Sequence, residues 1–389
     1  MPKFRINRRT VLKTGIATAA TLAMPPVLRA ADQVKIGFLA PLTGSEAILG
    51  IVQLQCYQLA IDHLNAAGGI AGREIVSIVE DDETNAKSTI DKTRKLVAKD
   101  EVDLVLGTLA SFERTAALSV TSRANKLFIY PTYYEGGDCS PFLINTGQVP
   151  NQQIDPLAEH LVENVGKSVY VIGHDYIWPR GSTEQLRAGL EARGGRLAGA
   201  EFMPFGVSDF GPSFAKIKQA NPDVVAFMLV ADDAITAVKQ YHSFGMTQPL
   251  VFHAWDEVSL GAVTPVEEAG ILSSQGYFQQ IDSPANKTFT AAFAEKFGAD
   301  KPINYIGASV YQTAMLYAKA VEKAGSVEPE KVVTAIGQVE VNGPIGVMRV
   351  EAETHHAVLP NYLARVTDSA KLEILKSYEP KPPVAGCKL

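Results

Sequence analysis

Four stretches of this 389-residue chain collect side chains able to do chemistry, and each follows a run that reads as a β-strand. The first is Gly107-Thr108-Leu109-Ala110-Ser111-Phe112-Glu113. Ser111 is a suitable N-cap residue. The free N–H groups of the helical turn behind it suit a carbonyl or carboxylate oxygen. Ser111 therefore caps its own helix, meets a ligand, or does both. The second is Tyr130-Pro131-Thr132-Tyr133-Tyr134-Glu135-Gly136-Gly137. Tyrosine gives an apolar wall with a polar tip, which suits small polar ligands, so Tyr130, Thr132 and Tyr133 are candidate contacts. The third is Gly173-His174-Asp175-Tyr176-Ile177-Trp178-Pro179-Arg180, with Tyr176 and Trp178 as candidates. Some of these rings pack only on one another. Last come Asp232-Asp233 and Trp255-Asp256-Glu257. Here Asp232, Asp256 and Glu257 either touch a ligand or cap the helices that follow.

Catalytic signatures are missing. Gly-x-Ser-x-Gly does not occur, so there is no hydrolase elbow. Gly-x-Gly-x-x-Gly does not occur either; Gly68-Gly69-x-x-Gly72 has other spacing and follows a helix pattern. Gly166-Lys167-Ser168 looks like the end of a phosphate loop, but Leu161 stands where its first glycine belongs and a strand follows, so it reads as a turn. His355-His356 are neighbours, cannot share a helical face, and read as a surface loop pair rather than metal ligands. His174 beside Asp175 reads as a cleft rim more readily than a catalytic dyad. No catalytic residue, metal or cofactor is expected.

The elements that position these segments alternate. Strands are expected at 34–40, 74–80, 102–106 and 127–130, with helices at 47–67, 86–98 and from about 111. The pattern restarts with helices at 154–164, 183–193, 209–219 and 233–244 and strands at 168–173, 196–203, 224–229 and 250–253. Such alternation of apolar strands and helices implies mostly parallel sheets covered on both faces. Residues 147–152 have linker composition. Helices at 286–297 and 308–324 and short strands at 339–341, 347–350, 359–366 and 371–378 are too few for a third core. They complete two α/β lobes: 34–150 plus about 282–342, and 151–281 plus about 343–380. The chain then crosses between lobes near 149, 279 and 343, which makes a hinged clamshell. In such sheets, ligands sit beyond the carboxyl ends of the strands.

Residues 1–31 carry six of the 36 basic residues and no acidic one, leaving 30 basic against 42 acidic residues and a net charge of −12 in the body. So acidic a body excludes nucleic acid as a natural partner. A basic start, an apolar run at 15–24 and small residues at Ala30-Ala31 read as a signal peptide cleaved near that pair. Arg8-Arg9-Thr10-Val11-Leu12-Lys13 resembles a twin-arginine export signal, although Asn7 and Val11 depart from its usual residues; an ordinary Sec signal is the alternative. Periplasmic location is expected, with either export machinery as a partner. Cys56, Cys139 and Cys387 allow one disulfide of undecided pairing.

Several of these segments carry a family resemblance. Ile36-Gly37-Phe38-Leu39-Ala40-Pro41-Leu42-Thr43-Gly44 and Ala60-Ile61-Asp62-His63-Leu64-Asn65-Ala66-Ala67-Gly68-Gly69-Ile70 resemble type I periplasmic solute-binding proteins of ABC importers, the leucine/isoleucine/valine-binding group. Tyr130 to Gly136, Ser140-Pro141, Pro150-Asn151-Gln152-Gln153, Gly173-x-Asp175-Tyr176-x-x-Pro179-Arg180 and Asp282-Ser283-Pro284-Ala285-Asn286 resemble the urea- and short-amide-binding branch. The resemblance implies a two-lobed fold that closes on a small solute such as urea, a short amide or an amino acid. It also implies delivery to the membrane permease subunits of an importer. It places the ligand among Ser111, the Tyr-Pro-Thr segment, Tyr176 and Trp178, the last standing where Tyr or Phe is more usual. By analogy with amino-acid binders, Asp256 or Glu257 would hold an ammonium group. Two other functions compete with this one: a ligand-sensing regulator of the amide-sensor type, which works in the cytoplasm, and an amidohydrolase using Glu135 or Asp175 as base.

Overall fold

The computed structural model describes residues 33–389. The signal peptide and twin-arginine motif expected at 1–31 lie outside the described residues.

The first α/β set runs β1 (Gln33–Ala40), α1 (Ala47–Ala66), β2 (Glu74–Asp81), α2 (Ala86–Ala98), β3 (Leu104–Gly107), α3 (Ser111–Thr121), β4 (Leu127–Tyr130) and β5 (Leu143–Asn145). Its sheet has the order β2-β1-β3-β4-β5, with β1–β3, β3–β4 and β4–β5 parallel. Buried apolar runs such as Leu127-Phe128-Ile129-Tyr130 make strands that can only sit between helical layers. Helix starts are set locally. Asn85 Oδ1 accepts from the backbone N–H groups of Lys87 and Ser88 at 2.9 and 3.1 Å, which begins α2.

The second set runs α4 (Pro150–Asn164), β6 (Ser168–His174), α5 (Ile177–Glu191), β7 (Arg196–Met203), α6 (Gly211–Ala220), β8 (Val224–Met228), α7 (Ala231–Ser243), β9 (Leu250–Phe252), the short α8 (Pro265–Glu268) and β10 (Leu272–Gln275). The chain then returns to the first set. It adds α9 (Pro284–Phe297), α10 (Tyr305–Ala324) and α11 (Pro329–Ile336), and α10 packs along α1 in the first core. It ends with β11 (Glu340–Gly343), β12 (Gly346–Val350), β13 (Ala357–Val366) and β14 (Leu372–Lys381). The second sheet has the order β11-β12-β13-β10-β9-β8-β6-β7, with β14 also on β13. Its centre is parallel and its late strands antiparallel. β12 is bonded into this sheet, yet Ile345, Met348 and Val350 pack in the first lobe's core. The result is the two-domain, mostly parallel α/β architecture expected from the sequence.

Some elements differ from expectation, for local reasons. The stretch 147–152 is not a free linker: Pro150 begins α4, and the Gln152 side chain accepts from the N–H of Val149 at 2.9 Å. A Cβ on Gly147 would lie 1.9 Å from the Thr132 carbonyl oxygen, so this turn is pressed against the Tyr-Pro-Thr segment. Helix α5 begins at Ile177 rather than 183, because Pro179 falls in the first turn, where its missing N–H costs nothing. His355 and His356 are buried rather than on a surface loop: the His356 ring meets the Tyr134 hydroxyl and the Asn145 side chain. Cys139 and Cys387 form a disulfide with Cα atoms 5.8 Å apart, and Cys56 is a buried free thiol.

Candidate functional site

In a sheet ordered β2-β1-β3, successive strands are added on opposite sides of the β1/β3 boundary, and the crevice opens between the carboxyl ends of these two parallel strands. That crevice is walled by the starts of α1 and α3. In the second lobe β6 and β8 play the same part, followed by α5 and α7. A small cavity, about 20 Å³, lies where the two sets face each other. Ile48, Leu49, Tyr133 and Ile306 line it from the first lobe; Val230, Ala231, Phe252 and Asp256 are among those lining it from the second. A larger groove, about 390 Å³, runs between α4 and β14. Its walls carry ion pairs such as Lys376–Glu159 and Lys381–Asp155, and it is remote from the strand ends that make sites in this architecture.

The first lobe's strand ends are polar and locked. The Ser111 hydroxyl donates to Glu135 Oε2 at 2.6 Å. Glu135 Oε1 accepts from Arg114 Nη2 at 2.6 Å, and Arg114 Nε donates to Asp138 at 2.8 Å. The Arg114 guanidinium, 2% exposed, lies 4.2 Å from the centre of the Tyr134 ring. Glu113, not Ser111, supplies the cap of α3: its Oε2 accepts from the N–H groups of Leu109 and Ala110, each at 2.9 Å. The Thr132 hydroxyl donates to the Thr108 carbonyl at 3.2 Å. Tyr130 donates to the Leu109 carbonyl at 2.5 Å, and its ring packs with Leu39, Phe128 and Tyr134 in the outer layer of the core, away from the cavity.

The second lobe's strand ends are rings. Trp178, in the first turn of α5, is 2% exposed. Its ring centre lies 5.3 Å from Tyr133, 4.8 Å from His253 and 6.1 Å from Tyr176. Tyr133 also stacks on Tyr305 at 5.9 Å. Tyr176 stacks on Phe205 at 5.6 Å and meets Phe112 edge-on at 6.1 Å. Rings from both lobes thus close over one another. Sequence reasoning named Tyr133, Tyr176 and Trp178 here but missed Phe112, Phe205, His253 and Tyr305. Of these, His253 directly follows β9 and Phe112 lies in the segment after β3, at the start of α3, so both were open to the same argument.

The acidic candidates separate. Asp256 lines the cavity and is 4% exposed. Its Oδ1 accepts from the Val258 N–H at 3.0 Å, so it caps a turn as well. Burial pushes its pKa up to about 7. Glu257 is also buried; desolvation, with help from Asp256, pushes it up to about 8, and it accepts from the Gln279 N–H. Asp232 is exposed on the first turn of α7 and joins neither group. His174 is turned to Asp233, whose Oδ2 lies 3.0 Å from Nε2, and not to Asp175, which pairs with Arg180. His253, buried without a hydrogen-bond partner for either ring nitrogen, is pushed down to about 3 by desolvation. Among the described residues no group of three or more His, Cys, Asp or Glu side chains is placed to hold a metal ion.

Residues 33–371 match the family described as periplasmic binding protein, and the chain belongs to it. It is 25% identical over 325 residues to the leucine-, isoleucine-, valine-, threonine- and alanine-binding protein of Pseudomonas aeruginosa, which spans 82% of this chain and 85% of that one. It is 27% identical over 337 residues to Leu/Ile/Val-binding protein homolog 1 of Brucella abortus, covering 84% and 88% of the two chains. Among solved structures, an ABC-transporter solute-binding protein of R. palustris in complex with benzoate is similar in fold: TM-score 0.83, 20% identity, 92% of this chain and 100% of that chain. The branched-chain amino acid substrate-binding protein of Streptococcus pneumoniae in complex with isoleucine is similar with TM-score 0.78 and 22% identity over 90% of this chain and 100% of that one. This chain is a two-domain solute-binding protein of the periplasmic binding protein family, and its relatives are substrate-binding proteins rather than enzymes, which removes the amidohydrolase reading.

Proposed function

We propose that this protein captures a small solute with an aliphatic body and an N–H-bearing head, an amino acid or a short amide, and delivers it to the permease subunits of an ABC importer. One observation carries this reading. The cavity is walled by Leu49, Ile306, Val230 and Phe252, and its one ionisable carboxyl group, Asp256, is an acid. The arginines beside the candidate contacts are already paired: Arg114 with Glu135 and Asp138, Arg180 with Asp175. An aromatic acid would find no free cation there. Urea fits less well, because it brings no apolar part to the aliphatic walls. The segments similar to the amide-binding branch support a short amide; the leucine-group relatives support an amino acid.

Capture proceeds by closure. In the closed state the Tyr133–Trp178 contact bridges the lobes and leaves little room for a ligand, so the lobes open to admit one. The crossings near 149, 279 and 343 serve as the hinge. Ligand binds the polar first lobe, and the rings of the second lobe then shut over it. The ligand favours the closed form only through the contacts that closure adds. The Cys139–Cys387 disulfide supports a periplasmic site of action, since oxidising compartments are where such bonds persist. A sensing regulator would instead work among reduced thiols.

The test is a melting-temperature screen followed by calorimetry with isoleucine, alanine, acetamide, urea and benzoate, since tight ligands stabilise by mass action. Binding of an amino acid or a short amide is the expected outcome. A preference for benzoate alone, or binding of nothing, would defeat the reading.

A further inference from the structure

The β1/β3 crevice has a wall that the rings do not occupy. Glu46, immediately before α1, is 0% exposed, and neither of its carboxyl oxygens has a hydrogen-bond partner. It stands at the N-cap of α1 without capping it through its side chain. Its backbone does that work: the Glu46 carbonyl accepts from the N–H groups of Leu49 and Gly50 at 3.0 and 3.1 Å. The side chain is therefore free of structural duty. Near it stand the buried carboxyls of Asp82 and Glu113, which are hydrogen-bonded to each other; further along the lobe Gln53 Oε1 and Thr108 Oγ1 are also buried without partners. The nearby amide and guanidinium donors are spent. The Gln53 amide donates to the Thr108 carbonyl at 3.2 Å, and Arg114 is committed to Glu135 and Asp138. A fully buried carboxyl with neither oxygen paired is a recognition group lacking its partner, because buried polar atoms are satisfied almost without exception. The residues are not arranged to hold a metal ion. Burial pushes the phenols of Tyr133 and Tyr176, the facing rings of the two lobes, up, and Glu46 lies close enough for its charge to add to both shifts.

We infer that Glu46 receives the ammonium group of the captured solute. The inference rests on the proposed capture function and narrows its ligand to one bearing a protonated amine. Asp256 and Glu257, the acids singled out by sequence, are less suited. Each already accepts a backbone N–H, whereas Glu46 accepts nothing. Burial, then the charge of Asp82, pushes the Glu46 carboxyl up to about 8. The groups facing it are Asp82, itself pushed up to about 9, Glu113, also raised, and the phenols of Tyr130, Tyr133 and Tyr176. None is cationic. Near neutral pH the empty site therefore holds Glu46 protonated. An arriving ammonium reverses the balance and the carboxyl proton leaves to solvent, so binding releases a proton and tightens as pH rises towards 8.

Calorimetry with the purified protein at pH 6.5, run in two buffers of different ionisation enthalpy, reads this directly. Isoleucine and alanine are the amine probes; acetamide, urea and benzoate are the amine-free probes. The expected result is amine binding with proton release, and a loss of at least about tenfold in amine affinity for Glu46→Gln together with loss of the release. The buffer comparison needs only the wild-type protein, so misfolding of the variant does not shield the idea. Tight amine binding without proton release overturns it, as does unchanged affinity in folded Glu46→Gln. Binding of acetamide or urea but no amine overturns Glu46 as an ammonium site and leaves solute capture standing. Binding of no probe overturns both.

Discussion

The two lobes offer opposite surfaces to the same cleft. The strand ends of the first lobe are ionic and fixed: Ser111, Glu135, Arg114 and Asp138 form one continuous hydrogen-bonded chain, and Glu113 ties the start of α3. Those of the second lobe are mostly rings, Tyr176, Trp178, Phe205 and His253, whose contacts are area and shape rather than directed bonds. Directed bonds select a ligand and hold it before closure; ring surfaces gain from burial and exclude water whatever the ligand's orientation. On the proposed capture function, the difference amounts to a division of labour in which the first lobe recognises and the second seals.

The largest expected effect breaks the fixed side of that comparison. Glu135→Ala leaves Arg114 buried with only Asp138 as counter-charge, and should cost about 3–5 kcal/mol of stability in denaturant unfolding. A cost under about 1 kcal/mol would show that the first lobe is not organised by this chain. Next is the tie between lobes. Cys387 follows the second-lobe strand β14 and is joined to Cys139 on the first-lobe loop, closing a separation of 248 residues. The tail is held there also by Gly137 N–H to the Ala385 carbonyl at 2.7 Å and Val384 N–H to Asn151 Oδ1 at 2.7 Å. Cys139→Ser should lower unfolding free energy by about 2–5 kcal/mol, measured against wild type with and without reductant. If reductant lowers the variant's stability as much as the wild type's, the disulfide is not the cause.

Smaller effects sharpen the division itself. Thr132→Ala removes a hydroxyl that donates within the first lobe, and Tyr176→Ala removes a sealing ring of the second. Both should weaken ligand by about 1–3 kcal/mol with little loss of fold stability. They should differ in kind. Tyr176→Ala loses the ligand-induced compaction seen by small-angle scattering, while Thr132→Ala keeps it. Equal compaction in both would erase the distinction between recognising and sealing.

How much of this was legible depended on where the information lies. Helix α2 falls at 86–98 as its periodicity predicts, because Asn85 marks its start in the sequence. Strands β5 and β10 were not anticipated. Leu-Ile-Asn and Leu-Ser-Ser-Gln carry no alternation, and only pairing with β4, β9 and β13 makes them strands. Pro150-Asn151-Gln152 reads as loop composition, yet those polar side chains are helix caps and ties to the tail. The aromatic strand ends were visible because ring content at a strand end is unusual. Glu46 was not, since an acid just before a helix reads as a cap. Its lack of partners emerges only once α1 and α3 stand side by side at the β1/β3 crevice.

The smallest effect is the pH dependence of the empty protein, and it separates the lobes by titration. In the first lobe burial pushes Glu46 up to about 8 and Asp82 up to about 9. In the second it pushes Asp256 up to about 7 and Glu257 up to about 8. Unfolded, these carboxyls titrate near 4. Between the two values the folded state holds more protons than the unfolded one, so each group's contribution is complete below about pH 4 and is lost as pH rises through its folded value. His253 acts in the other direction: pushed down to about 3, it stays neutral in the fold while the unfolded ring takes up a proton below about 6.5, so stability falls on acidification. Four carboxyls outweigh one histidine, so the contribution of these groups to melting temperature should be greatest near pH 4 and decline from there towards pH 9. Asp256→Asn with Glu257→Gln should flatten the decline up to about pH 8, and Glu46→Gln with Asp82→Asn should flatten it up to about pH 9, each read by calorimetric scans of ligand-free protein. Identical flattening by the two pairs would mean that the two acid groups sit in one shared electrostatic environment rather than two.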